Sequence, residues 1–192
     1  MASANATTDV SRAAATLLQG DVIAYPTEGV WGLGCDPDNE AALRQVLALK
    51  QRDPAKGLIL IAASIEQLAP WLTEVSAAER EQLQASWPGP HTWLVPDNGR
   101  SHPLVRGNHQ QVALRVTDHP LTAALCTAFG GPIVSTSANR ANEPSALTAR
   151  QVEQIFGSEL ALILEGATGG RREPSTIRDL ADGRWLRGGP EH

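Results

Sequence analysis

Residues Leu49–Ala62 read LKQRDPAKGLILIA, and the fold turns on how this stretch divides. Leu43, Val46, Leu47 and Lys50 lead into it at helical spacing. Lys50, Arg52 and Lys56 then cluster around Pro54, and Gly57 breaks the chain. Leu58-Ile59-Leu60-Ile61 follows as a continuous apolar run, the pattern of a strand buried on both faces. Three cations therefore stand where a helix hands over to a central strand. Strand ends are where α/β sheets bind ligands. Like charges on a helix surface repel by roughly a few tenths of a kcal/mol per pair, and a polyanion relieves that repulsion. A solvated turn is the plainer alternative, because charged clusters also simply face water.

Bulk properties narrow the classes. The chain of 192 residues is long enough for one domain with a substantial core. Its 42% hydrophobic and 19% charged content belongs to a globular protein. A net charge of -5 argues against gripping nucleic acid through overall positive charge. Cys35 and Cys126 form no CxxC pair, so neither a disulfide framework nor a zinc site is expected, and a reduced, cytoplasmic setting fits. The first residues lack the basic start and apolar core of a signal peptide, and no apolar run is long enough to cross a bilayer. One domain is expected over 9–188, with flexible termini at 1–8 and 189–192.

Outward from the central stretch, helices and strands alternate. Asp9 or Ser11 caps a helix that stops at Gly20, and Val22 to Tyr25 reads as a strand. PTEGVWGLGCDP after it is expected as a glycine-rich loop; its glycines run GxxGxG, which is not the dinucleotide fingerprint. Thr27 and Glu28 place polar groups at that strand end. Asp38 is the expected cap of the helix that delivers Lys50, and Ser76 to Glu79 matches a capping box. Thr92 to Val95 is a short strand, Pro96 to Asn108 an exposed loop, and His91, His102 and His109 are expected in solvent. Val112 to Val116 alternates, with Ala113 and Arg115 on the second face. An arginine there needs an internal carboxylate, a ligand anion or open water. Leu121, Ala124, Leu125 and Ala128 mark one face of the next helix. Ile133-Val134 runs into Ser135-Thr136-Ser137-Ala138-Asn139, where hydroxyls and an amide can hold a phosphate or make turns with their own backbone. A helix from the Thr148 capping box, a strand at Ala161 to Leu164 and a terminal hairpin about Leu180 to Arg184 complete the chain.

The pattern is α/β: a single domain with a mixed, strongly twisted sheet and flanking helices. Lys50, Arg52, Arg115, Ser135 to Asn139 and Ser175 all fall at or near strand ends. If those ends converge they form one cleft, cationic on one wall and hydroxyl-lined on the other. The sequence carries no P-loop, GxSxG elbow, kinase signature or zincin motif. Anion binding without a marked nucleophile suits phosphoryl or nucleotidyl transfer, where positioning and charge neutralisation dominate.

In order, AYPTEGVWGLGCDP, LKQRDPAKGLILIAA, WPGPHTWLVP, VALRVTDHP, PIVSTSAN and EPSTIRD closely resemble the YrdC/Sua5 family in its short bacterial form, from about Asp9 to Gly188. The resemblance implies a twisted sheet with a large concave cavity, and the synthesis of threonylcarbamoyl-AMP from L-threonine, bicarbonate or CO2, and ATP with release of pyrophosphate. It implies Mg2+ brought with ATP rather than held by dedicated protein ligands. It also implies delivery of the product to the TsaD, TsaB and TsaE machinery for the t6A base of tRNAs that read ANN codons. Residue by residue, the family's KxR falls on Lys50 and Arg52 and its SxN on Ser137 and Asn139, expected as the catalytic set. Lys56, Ser145, Ser175 and Arg187 match ATP contacts alongside Arg52 and Ser137. Gly29, Arg115 and Ser135 match the L-threonine subsite, with Arg115 on the carboxylate. The chain departs from the family at Gly29, where many relatives read Thr, at Trp31, and at Ala141-Asn142. The rival reading is a tRNA- or double-stranded-RNA-binding protein, with Arg140, Arg150, Arg171, Arg172 and Arg178 as a local basic surface.

Overall fold

The computed structural model describes residues 5–171 and 173–189. The central stretch divides as its pattern predicts. Helix α2 (Glu40–Lys50) ends at Lys50, and Gln51 follows in the left-handed region at φ 52°. A 3-10 turn at Pro54–Lys56 comes next, capped by the Asp53 carboxylate, and Gly57 at φ 64° lets the chain enter β4 (Ile59–Ala62). β4 lies between β6 (Gln111–Val116), to which it is parallel, and β7 (Ile133–Ser137), to which it is antiparallel. With both edges paired and Leu60, Ile61 and Ala62 buried, an apolar run is what this strand needs.

The remaining elements are β1 (Ala6–Thr7), α1 (Val10–Leu18), β2 (Ile23–Pro26), β3 (Trp31–Gly34), α3 (Ala77–Ser86), β5 (His91–Pro96), α4 (Pro103–Arg106), α5 (Pro120–Phe129), α6 (Ala149–Phe156), β8 (Leu162–Leu164), β9 (Thr176–Asp179) and β10 (Trp185–Arg187). The strands form one mixed sheet in the order β1-β8-β2-β3-β7-β4-β6-β5-β9-β10. Its hinge is β7: Ile133, Val134 and Ser135 pair with β4, while Thr136 and Ser137 pair with β3. The capping signals predicted at Asp9, Ser76 and Thr148 are all formed, the last two as reciprocal capping boxes.

Local expectations are corrected in six places. PTEGVWGLGCDP is a β-hairpin and not a loop: β3 pairs antiparallel with β2, and Thr27 Oγ1 donates to Val30 O at 2.7 Å across its turn. Gly34 is there for contact, since a Cβ on it would stand 2.6 Å from both Tyr25 Cε1 and Val134 O. The α2 cap is Asn39; Asp38 instead pairs with Arg100 at 2.7 Å. The segment predicted as an exposed loop at 96–108 contains α4, whose Val105 is buried and whose cap is His102. His91 is half-buried against Thr176, and of the three loop histidines only His109 is exposed. Helix α5 buries Thr122, Leu125 and Cys126, leaving Ala124 and Ala128 exposed. Of the N-terminal segment expected to be flexible, Ala6–Thr7 is tied to β8.

The core explains where a cavity can open. Ile59 and Ile61 share a face of β4. Ile61 packs under α1 and α5 with Leu17, Tyr25, Leu125 and Ile133. Ile59 lies beyond the reach of those helices and faces open space. The larger cluster, from Leu43, Val46 and Leu60 to Trp93 and Leu114, fills the opposite side. No described helix is long and apolar enough to cross a membrane.

Candidate functional site

The uncovered end of the sheet encloses a cavity of about 460 Å³, within the range of small-molecule sites. Its walls come from segments far apart in sequence: the β2–β3 turn, the Arg52–Ile59 stretch, β6, β7, Ser145 and the 173–187 region. Of the residues singled out in the sequence, Gly29, Arg52, Lys56, Arg115, Ser135, Ser137, Ser145, Ser175 and Arg187 all line it. Lys50 and Asn139 do not.

Lys50 lies beneath the cavity. Only 4% exposed, its Nζ donates to the carbonyls of Ser137 and Asn139 and, at 3.0 Å, to Asn139 Oδ1. Ser137 Oγ in turn donates to Asn139 Oδ1 at 2.6 Å. Asn139 Nδ2 donates to the carbonyls of Arg140 and Glu143, which anchors the loop after β7. No carboxylate pairs with Lys50 among the described residues. Burial, and then the charge on Arg52, push its pKa down to about 8. Of the three cations expected to offset phosphate charge, Arg52 and Lys56 line the cavity and Lys50 is hydrogen-bonded to the loop after β7. Gln51 reverses the chain, so Lys50 points down at the SxN loop while Arg52 and Lys56 reach the cavity.

Arg115 has an internal partner. Its Nη2 is 3.2 Å from Glu28 Oε2, with both side chains only 6% exposed. Glu28 is held by Thr117 Oγ1, which donates to Oε1 at 2.7 Å, and by the Asp118 N–H. Burial works against the Glu28 charge, but Arg115 and then Thr117 keep its carboxyl below the usual range. Asp118 goes the other way, raised by burial and by Glu28 beside it. Arg115 Nε and Glu28 Oε2 still lack hydrogen-bond partners. Such orphaned groups are costly unless a ligand or solvent reaches them.

On the facing wall Arg187 donates from Nε to Ser175 O at 2.7 Å and from Nη2 to Ser175 Oγ at 3.0 Å. Ser175 Oγ also shares a hydrogen bond with Thr92 Oγ1. Burial lowers the Arg187 pKa, and so do the charges of Arg115 and Arg52. Arg52, Lys56 and Arg187 enter no ion pair among the described residues. Three unneutralised cations in one enclosure favour a polyanion by Coulomb attraction.

Sequence reasoning missed Arg106, His109 and Arg184, which also line the cavity. Arg106 arrives on α4, the helix hidden in the expected loop. Glu28 was noted only as a polar group, not as the partner of Arg115. Two arginines of the rival reading are engaged within the protein. Arg140 is bound to Leu49 O, Ile155 O and Glu159, and Arg178 lies over Trp93 and Trp185 while donating to Gly183 O. Arg172 lies outside the described residues. Also among the described residues, no group of three His, Cys, Asp or Glu side chains is placed to hold a metal ion.

A mixed sheet that opens at its strand ends into a cationic, hydroxyl-lined cavity defines an α/β protein whose cavity suits an anion. The Sua5/YciO/YrdC family model, described as "Telomere recombination", matches residues 15–189, and the chain belongs to that family. It is 60% identical over 178 residues to the threonylcarbamoyl-AMP synthase of Chromohalobacter salexigens, covering 93% of this chain and 96% of that one. The corresponding enzyme of Cellvibrio japonicus is 51% identical, at 93% and 94% coverage. Among solved structures, P. abyssi Sua5 complexed with L-threonine superposes with a TM-score of 0.85 at 29% identity. That match covers 90% of this chain but only 51% of the longer Sua5 protein.

Proposed function

We propose that this protein is an enzyme that joins L-threonine, bicarbonate or CO2, and ATP into threonylcarbamoyl-AMP with release of pyrophosphate, a nucleotidyl transfer. The observation that carries the reading is the pairing of a buried arginine fork, Arg115, with the unneutralised Arg52, Lys56 and Arg187 in one cavity. An amino-acid carboxylate suits the fork, because planar bidentate contacts to carboxylates are what guanidinium groups make best. A triphosphate suits the three free cations. The relatives named above are synthases of this product, and a family structure holds L-threonine.

In this reading Arg115 anchors the threonine carboxylate, with Gly29 and Ser135 beside it. The threonine amine takes up CO2 as a carbamate, and a carbamate oxygen displaces pyrophosphate from the α-phosphorus of ATP. Ser137 orients the α-phosphate, and Asn139, gripped from below by Lys50, fixes Ser137. Arg52, Lys56 and Arg187 offset charge on the phosphates and on the leaving pyrophosphate, while Ser145 and Ser175 offer hydroxyls along the nucleotide. No side chain need act as nucleophile; preorganised charge supplies the stabilisation. Magnesium enters as the counter-ion of the triphosphate. The product then serves t6A formation on ANN-decoding tRNAs. The test is pyrophosphate release that requires both L-threonine and bicarbonate. Release that ignores either substrate overturns the proposal.

A further inference from the structure

His119 lies in the VALRVTDHP stretch and so far has no task. It is only 7% exposed, and both ring nitrogens are in use. Nδ1 accepts the Thr122 N–H at 3.4 Å, which makes His119 the cap of α5. Nε2 meets the Ala167 carbonyl oxygen at 2.9 Å. A carbonyl has no proton to give, so Nε2 carries the hydrogen and donates it. Ala167 belongs to the connection from β8 to β9, strands that stand near opposite edges of the sheet. The last part of that connection, Glu173 to Ser175, lines the cavity. The first part, residues 165–171, buries no side chain. Backbone bonds tie it down, from the Glu165 N–H to Thr7 O, the Gly169 N–H to Thr27 O and the Arg171 N–H to Glu28 O. Among the described residues, His119 adds the side-chain hydrogen bond. These contacts close a ring around Glu28. The His119 N–H goes to Thr117 Oγ1 at 3.1 Å, and that hydroxyl donates to Glu28 Oε1 at 2.7 Å. The imidazole holds Ala167, and a turn further along Arg171 holds the Glu28 carbonyl. Backbone and side chain of Arg115's partner are thus both traced to His119. Next to them Glu173 O packs against Gly29, where a Cβ would stand 2.2 Å away.

We propose that His119 is a positioning residue for the amino-acid end of the cavity: it holds the 165–171 segment against the β2–β3 turn, so that Glu28 and Gly29 keep the places a substrate needs. This rests on the reading of that end as the L-threonine subsite and adds what fixes its shape. An anchor is needed because the segment sends no apolar side chain into the core. Backbone held only by solvent-exposed hydrogen bonds opens easily, and the turn it braces would shift with it. The two tasks of the imidazole are separable. Asparagine at 119 keeps an acceptor for the first N–H groups of α5 but is too short to reach Ala167. Glutamine extends about as far as Nε2 and can donate to that carbonyl, but it caps the helix poorly.

The test is titration calorimetry of L-threonine and of magnesium ATP on the full-length chain, with a thermal melt of each variant. His119→Asn should melt within a few degrees of wild type and bind ATP as wild type does. Its L-threonine affinity should fall roughly three- to tenfold, the scale of one lost hydrogen bond, and hydrogen exchange at the Gly169 and Arg171 amides should quicken. His119→Gln should melt lower yet recover most of the L-threonine affinity. A merely structural histidine would order the two variants by melting temperature and weaken both ligands together. Arg171→Pro deletes the N–H given to Glu28 O without touching α5 and should also weaken L-threonine, whereas Arg171→Ala keeps that N–H and should not. If His119→Asn fails to fold, His119→Ser, another short cap, takes its place. Wild-type L-threonine affinity in the short-cap variant or in Arg171→Pro, or His119→Gln binding no tighter than the short-cap variant, overturns the inference and leaves the subsite standing. A wild type that binds no L-threonine overturns both.

Discussion

Replacing Lys50 with Met removes an ammonium and keeps the length of the side chain. In the protein that ammonium bonds to two carbonyls and the Asn139 side chain. Losing it leaves buried acceptors unpaired, at about 1–3 kcal/mol each. The low end applies, because Ser137 and Asn139 are only half-buried and water can reach them. Against this, the charge itself is expensive to hold. Burial and then Arg52 take its pKa from 10.5 to about 8, a penalty of about 3 kcal/mol at neutral pH. The two effects nearly offset, so Lys50→Met should melt within a few degrees of wild type. Activity should not survive so well. With the Ser137–Asn139 cradle unanchored, kcat/KM for ATP should fall by about 10²- to 10³-fold, the scale of losing one preorganised donor. L-threonine affinity should change less than about threefold, because Arg115 is held independently by Glu28. Threonine-dependent pyrophosphate release, calorimetric L-threonine binding and a thermal melt read the three quantities. A variant that folds and keeps wild-type kcat/KM refutes the reasoning.

The same lysine predicts a pH dependence. As pH rises through about 8 the ammonium loses its proton, nucleotide affinity should drop, and Lys50→Arg should remove the drop in a pH titration of ATP binding. Its linkage sign is the reverse of a stabilising salt bridge. The unfolded chain keeps the proton up to a pKa near 10.5 and the folded chain does not, so wild type should gain stability relative to Lys50→Met between those values. Glu28→Gln strips a buried counter-charge from Arg115 and should cost about 3 kcal/mol in chemical denaturation together with weaker L-threonine binding; an unchanged unfolding midpoint would show that the pair does not matter. Gly29→Ala places a Cβ 2.2 Å from Glu173 O, so the backbone must shift. A loss of about 1–3 kcal/mol with a raised KM for L-threonine is expected, and a wild-type melt and KM would count against this close approach.

Much of the fold was legible because its signals are local. The β4 run, the capping boxes and the α1 cap each follow from a few adjacent side chains. The β2–β3 hairpin was not, since Gly32 and Gly34 look like loop punctuation until Tyr25 and the Val134 carbonyl are seen against Gly34. Alternation on β6 demanded an anion for Arg115, but nothing local named Glu28, which the chain brings back from the β2–β3 turn. The direction of Lys50 depends on one left-handed residue, Gln51, that no propensity for glutamine suggests. The resemblance gathered the site residues into one cavity; it could not say which of them face the ligand and which hold others in place.

Central to the proposed activity is that a nucleoside triphosphate and an amino acid meet in the same cavity and leave as one molecule. Incubating the protein with L-threonine, labelled bicarbonate and magnesium ATP, and analysing the quenched mixture by mass spectrometry, tests that directly. The expected result is a labelled threonyl-carbamoyl adenylate accompanied by equimolar pyrophosphate, both abolished in Arg115→Ala. Hydrolysis to ADP or AMP with no mixed anhydride, or the same product yield from Arg115→Ala, contradicts it.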